Sequence, residues 1–198
     1  KDTSGHLGLL LTYLGIASIP GIILVWRFPW LIVMGVVGLT LLFINGWQTS
    51  EKEDRLLRNE LLAIGAMALT APAASYVSSG IFDTRAVLLW GLSTAFFASS
   101  VYFIRLQVLS VNSRKADERK RVWVYCAAYH ACLVVAIAGL FLKQQISWLM
   151  ALGLLPVIIR ALVGLMKRPE KLNLKRAGIL EFAWSLIFLA LTVIGFKS

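Results

Sequence analysis

The sequence predicts an all-α, polytopic transmembrane bundle with seven spans in its 198 residues. Three observations lead there. Hydrophobic residues make up 59% of the chain and charged residues 15%, whereas a soluble domain is about half apolar and a quarter charged. Mean hydropathy is +0.77. The apolar residues gather in long runs, and a helix needs about 20 of them to cross a hydrocarbon core about 30 Å thick. This composition excludes a disordered chain, a disulfide-stapled secreted domain and an ordinary cytosolic enzyme.

The spans are read in chain order. The first covers about 7–26. Residues 1–6 are polar and no small-x-small cleavage site ends the run, so it is not read as a signal peptide. Trp26-Arg27-Phe28-Pro29-Trp30 joins it to the second, about 29–46. Pro29 suits a first helical turn because its φ is already set, and the tryptophans mark an interface. The remaining spans cover about 60–79, 86–104, 122–142, 145–166 and 177–196. Pro20, Pro72 and Pro156 fall inside spans and predict kinks that neighbouring helices accommodate. Small residues are candidate packing handles: Gly65, Ala68, Ala71 and Ala74 in the third span, and Ala127, Ala128, Ala131, Ala136 and Gly139 in the fifth. Cys126 and Cys132 read as buried small apolar residues, with neither a bridge nor a metal pair implied. The whole chain, 1–198, is read as one transmembrane domain.

Charge sets the orientation. Sixteen of the 20 Lys and Arg residues fall at the N-terminus or near 47–59, 105–121 and 160–176, leaving Arg27, Arg85, Lys143 and Lys197 for the other side. Basic loops mark the cytoplasmic face. The N-terminus is therefore expected in the cytoplasm and the C-terminus outside. The same distribution accounts for the net charge of +10. A nucleic-acid partner is not expected, since the chain has no stacking platform or reading motif.

Ionisable groups at membrane depth are costly and mark candidate sites. They cluster on the cytoplasmic half: Glu60 at the start of the third span, Arg105 at the end of the fourth, His130 in the fifth, Arg160 in the sixth, and Lys175, Arg176 and Glu181 at the start of the last. Each has an ordinary structural explanation. Arginine stems snorkel, a histidine bonds a neighbouring helix, and carboxylates favour helix N-termini. Together, Arg105, Arg160, Lys175 and Arg176 outnumber Glu60 and Glu181. If the helices gather them, they form a basic pocket for an anionic lipid head group, with the spans supplying an apolar cavity for its tail. Asp117 and Glu118 are adjacent and diverge on a helix, so they share no metal. No metal and no cofactor is implied, and no phosphate loop or nucleophile elbow is present.

Several stretches carry a family resemblance. They are Arg27-Phe-Pro-Trp-Leu31, Glu60-Leu-Leu-Ala-Ile-Gly65 with Ala71-Pro-Ala-Ala-Ser75, Leu89-Trp90 through Ser99-Ser-Val-Tyr-Phe-Ile-Arg105, and Leu172-Asn-Leu-Lys-Arg-Ala-Gly-Ile-Leu-Glu181. With Tyr129-His130 and Arg160, the chain resembles the YwiC-like bacterial membrane proteins along nearly its whole length. That resemblance implies a Pro-Arg-Glu-His-Gly segment and two further spans before Lys1, hence nine in a full protein. It implies no defined activity. More distantly, Gly80-Ile-Phe-Asp83 through Tyr102 is similar to UbiA-type prenyltransferases, whose aspartates hold a prenyl diphosphate through Mg²⁺. The positions that would carry those aspartates here are Leu106, Leu109 and Ser110. The resemblance thus implies a similar cavity without the metal-bound mechanism.

Two readings follow. One is an integral membrane protein holding an anionic or isoprenoid lipid. The other is an accessory subunit packed against a respiratory or photosynthetic membrane complex. A transporter would place polar groups on both sides of the midplane; prenyl transfer would require the missing carboxylates.

Overall fold

The computed structural model describes residues 3–48, 54–111, 116–167 and 173–197. They form eight helices and, among the described residues, no strand: α1 (Thr3–Arg27), α2 (Trp30–Gln48), α3 (Asp54–Ala68), α4 (Thr70–Ser79), α5 (Thr84–Val111), α6 (Ala116–Leu142), α7 (Trp148–Met166) and α8 (Leu174–Lys197). Six helical stretches among these residues are long and apolar enough to cross a membrane. Helix α1, Thr3–Arg27, contains the first expected span, and Leu11–Arg27 is an apolar stretch within it. The third is split: α3 and α4 follow each other across Leu69 within the apolar run Leu57–Ser79. Pro72 explains the break. Its ring crowds the carbonyl four residues back, that of Ala68, and the break leaves Pro72 in the first turn of α4, where its missing N–H costs no helical hydrogen bond. Pro20 and Pro156 lie inside α1 and α7, each of which runs on as one helix.

The chain packs as two compact units, Lys1–Thr94 and Ala95–Ser198. In the first, Phe28 and Pro29 separate α1 from α2, with the Phe28 N–H on the Leu24 carbonyl and the Ile32 N–H on the Pro29 carbonyl. Helix α2 packs along α3. Trp90 of α5 donates its indole N–H to the Gly65 carbonyl at 2.9 Å, tying α5 to α3. Helix α4 ends on Gly80, whose φ of 74° closes the last turn in the left-handed region. Asp83 then caps α5, its side chain accepting from the Ala86 N–H.

The second unit contains the rest of α5 with α6, α7 and α8. Ser147 caps α7 by accepting from the Met150 N–H, and Asn173 caps α8 by accepting from the Arg176 N–H at 3.0 Å. Helices α7 and α8 run antiparallel: Gly153 faces Phe188 and Gly195 faces Leu149. Phe96 of α5 stacks on Phe188 of α8, with ring centroids 4.3 Å apart. The fully buried core includes Phe96, Leu106, Cys126, Leu154 and Val157. In lipid no hydrophobic force drives helices together, so close packing carries the association.

Two sequence expectations are corrected here. Helix α6 buries Val122, Cys126, His130, Leu133 and Ile137, one stripe at three- and four-residue spacing, while Ala128, Ala131 and Ala136 lie exposed. Of the small residues named from the sequence in α6, only Ala127 and Gly139 are even half-buried, and the stripe facing the unit's interior is built mainly of larger side chains. Close approach falls instead at glycines of α7 and α8. For the same reason Cys126 is buried but Cys132 is exposed, because six residues turn a helix well away from the starting face.

Candidate functional site

The site is built on the α7–α8 pair. An open-sided groove of about 800 Å³ runs along it, with Phe103 and Gln107 of α5 contributing to its wall. On α7, Leu152, Leu155, Pro156, Ile159, Arg160, Val163, Gly164 and Lys167 line it; on α8, Asn173, Arg176, Ala177, Leu180, Glu181, Trp184, Ile187 and Leu191 do. These residues recur every three to four positions, so one face of each helix forms the groove. Lys167, Asn173 and Arg176 stand at one end, and aliphatic residues with Trp184 fill the other.

Arg160 and Glu181 sit between the two ends. They form an ion pair, with side-chain exposures of 11% and 18%. Ser100 of α5 joins them: its hydroxyl donates to Glu181 Oε2 at 2.6 Å and accepts from Arg160 Nη2 at 3.3 Å. The guanidinium also lies over the Phe103 ring, 4.6 Å from its centroid, a favourable cation–π placement. Arg160 is thus tied inward across three helices. It does not snorkel.

The preceding serine serves a different pair. Ser99 Oγ lies 2.7 Å from His130 Nε2, and His130 Nδ1 lies 2.7 Å from the Cys126 carbonyl. A carbonyl only accepts, so in the neutral ring Nδ1 carries the proton and Nε2 accepts from the serine hydroxyl. Consecutive helical residues point about 100° apart, which lets Ser99 face α6 while Ser100 faces α7 and α8.

Of the residues named from the sequence, the structure brings Arg160, Arg176 and Glu181 to one groove. Lys175 is exposed beside it and does not line it. Arg105 is half-buried on α5, also outside the lining. His130 is buried between α5 and α6 and bonded as above. Glu60 lies exposed on α3, in the first unit. Sequence reasoning did not assign Ser100, Phe103, Lys167 or Asn173 to the site. Lys167 and Asn173 were legible in the polar stretch between the last two spans, and Ser100 in the paired serine of the α5 apolar run.

This fold, with membrane-length apolar helices and almost no extramembrane structure among the described residues, is that of a polytopic helical membrane protein. Residues 1–75 match the family model of the YwiC-like protein. An uncharacterized protein of Haemophilus influenzae is 24% identical over 179 residues, covering 90% of this chain and 68% of that protein. No solved structure matches the chain. The family match ends before α5 begins, so the groove lies outside it.

Proposed function

We propose that the chain holds an anionic or isoprenoid lipid in the α7–α8 groove, which opens on the cytoplasmic side of a bacterial inner membrane. The observation that carries this reading is the groove's polarity. Lys167 and Arg176 crown one end and only apolar side chains line the other. Phosphate is well matched by a guanidinium and an ammonium together, and basic pockets between spans are a recurrent way of holding anionic head groups. The hydrocarbon tail then follows the aliphatic length of α7 and α8.

The test is native mass spectrometry of the protein extracted in mild detergent. A discrete lipid mass is expected on the wild type, with at least tenfold lower occupancy in the Lys167→Ala/Arg176→Ala variant. Undiminished occupancy in that variant, or a bare wild-type chain, overturns the reading.

A second reading, an accessory subunit of a larger membrane complex, draws support from α2. Only 6% of Trp30–Trp47 is buried, leaving a long apolar face for a partner. A chain that comes through bare and always in company with other membrane proteins favours this alternative.

A further inference from the structure

We infer that the lipid is a glycerol-ester phosphate rather than an isoprenyl phosphate. This inference rests on the groove reading and names its ligand class. The groove has polar groups at two depths. Lys167 and Arg176 form the outer level. Arg160 lies seven residues from Lys167, about 10 Å along α7, and Glu181 lies five residues from Arg176, about 7.5 Å along α8. Beyond this inner level the lining is apolar as far as Leu152 and Leu191, a further 12–15 Å or so.

The two levels differ in charge. The outer level carries two cations and attracts a phosphate. The inner level is an ion pair, so its charges cancel and it attracts no second anion. It offers hydrogen bonds instead. Glu181 keeps 18% of its side chain exposed, and a carboxylate has about four lone-pair sites, of which Arg160 and Ser100 occupy two. A ligand suited to both levels carries a phosphate and, a few bonds further in, neutral oxygens. A glycerol hydroxyl donates to the carboxylate, and the ester group beside it keeps hydrocarbon away from the ion pair. An isoprenyl phosphate places hydrocarbon there directly, stripping residual water from both charged groups without replacing its hydrogen bonds, which is costly.

The experiment compares two single-tailed phosphomonoesters on the delipidated protein in detergent, followed by native mass spectrometry. The probes are 1-oleoyl lysophosphatidic acid and geranylgeranyl monophosphate. The glycerol ester is expected to bind at least tenfold more tightly. In the Arg160→Met/Glu181→Leu double variant, which removes both charges together, the ratio is expected to fall below threefold through weaker binding of the glycerol ester. Equal or reversed wild-type affinities, with both probes still weakened by Lys167→Ala/Arg176→Ala, overturn the ligand class and leave the groove standing. If neither probe binds, or if both bind regardless of Lys167 and Arg176, the groove reading itself falls. Binding of glycerol 3-phosphate as tight as that of the tailed ester overturns the inference in favour of a free phosphate. Should the double variant not fold, the wild-type comparison decides alone.

Discussion

At the scale of single residues, the two serines of α5 show how differently polar groups can be used at membrane depth. Ser99 satisfies His130, a contact inside the bundle. Replacing it with alanine leaves a buried ring nitrogen without its partner. Such losses cost about 1–3 kcal/mol in general, and interhelical hydrogen bonds in membranes average nearer ~0.6 kcal/mol. A Ser99→Ala variant should therefore unfold about 1 kcal/mol more easily in a detergent denaturation series, with its bound lipid unchanged. A loss of lipid without a loss of stability would move His130 into the binding site. The Arg160–Glu181 pair behaves otherwise. Arg160→Ala strands a carboxylate that is mostly buried, and removing one partner of such a pair costs about 3–5 kcal/mol. Replacing both with Met and Leu should be close to neutral, because no uncompensated charge remains. Thermal unfolding of the single and double variants checks this; similar losses in both would mean that the pair contributes more than charge balance.

Among elements, the decisive contacts are glycines, which the apolar pattern does not reveal. A Cβ at Gly164 would meet Phe103 Cε2 at 2.7 Å and Gln107 Nε2 at 3.0 Å. Helix α7 approaches α5 there only because the side chain is absent. Phe103 lies under the Arg160 guanidinium, so displacing it disturbs the groove wall as well. Overpacking of this kind costs about 1–3 kcal/mol. Gly164→Ala should lower the melting temperature and weaken lipid retention together, while Gly91→Ala, with open space around it, should change neither. An unaltered melting temperature for Gly164→Ala would show that Phe103 yields freely. The break between α3 and α4 was legible in Pro72, although the sequence suggested only a kink within one span. The α6 stripe was misread because small residues were taken as the packing face, whereas its buried positions are Val122, Cys126, His130, Leu133 and Ile137.

For the molecule as a whole, the proposed orientation follows from the one-sided distribution of Lys and Arg. It is tested with single cysteines in a background lacking Cys126 and Cys132. Ser78 and Lys120 are both exposed. A membrane-impermeant thiol reagent on intact cells should label Ser78→Cys directly and Lys120→Cys only after permeabilisation. The reverse pattern would invert the proposed orientation and put the groove's charged end on the external side.

The order of the apolar runs, their lengths and the sidedness of the charges are properties of consecutive residues. The bilayer reads them locally, by thickness and potential, so composition and spacing alone determined the all-helical, membrane-length architecture. The site depends on rotation and approach between helices. Arg160 and Glu181 are 21 positions apart in the sequence, and Ser100 is 60 from Arg160. Their meeting depends on which face α5 turns toward α7 and α8 and on glycines that let the backbones close. Charge counting could gather Arg160, Arg176 and Glu181 as candidates. Only the tertiary structure separated them from Arg105, Lys175, His130 and Glu60, because packing decides which polar groups share a groove and which are satisfied elsewhere.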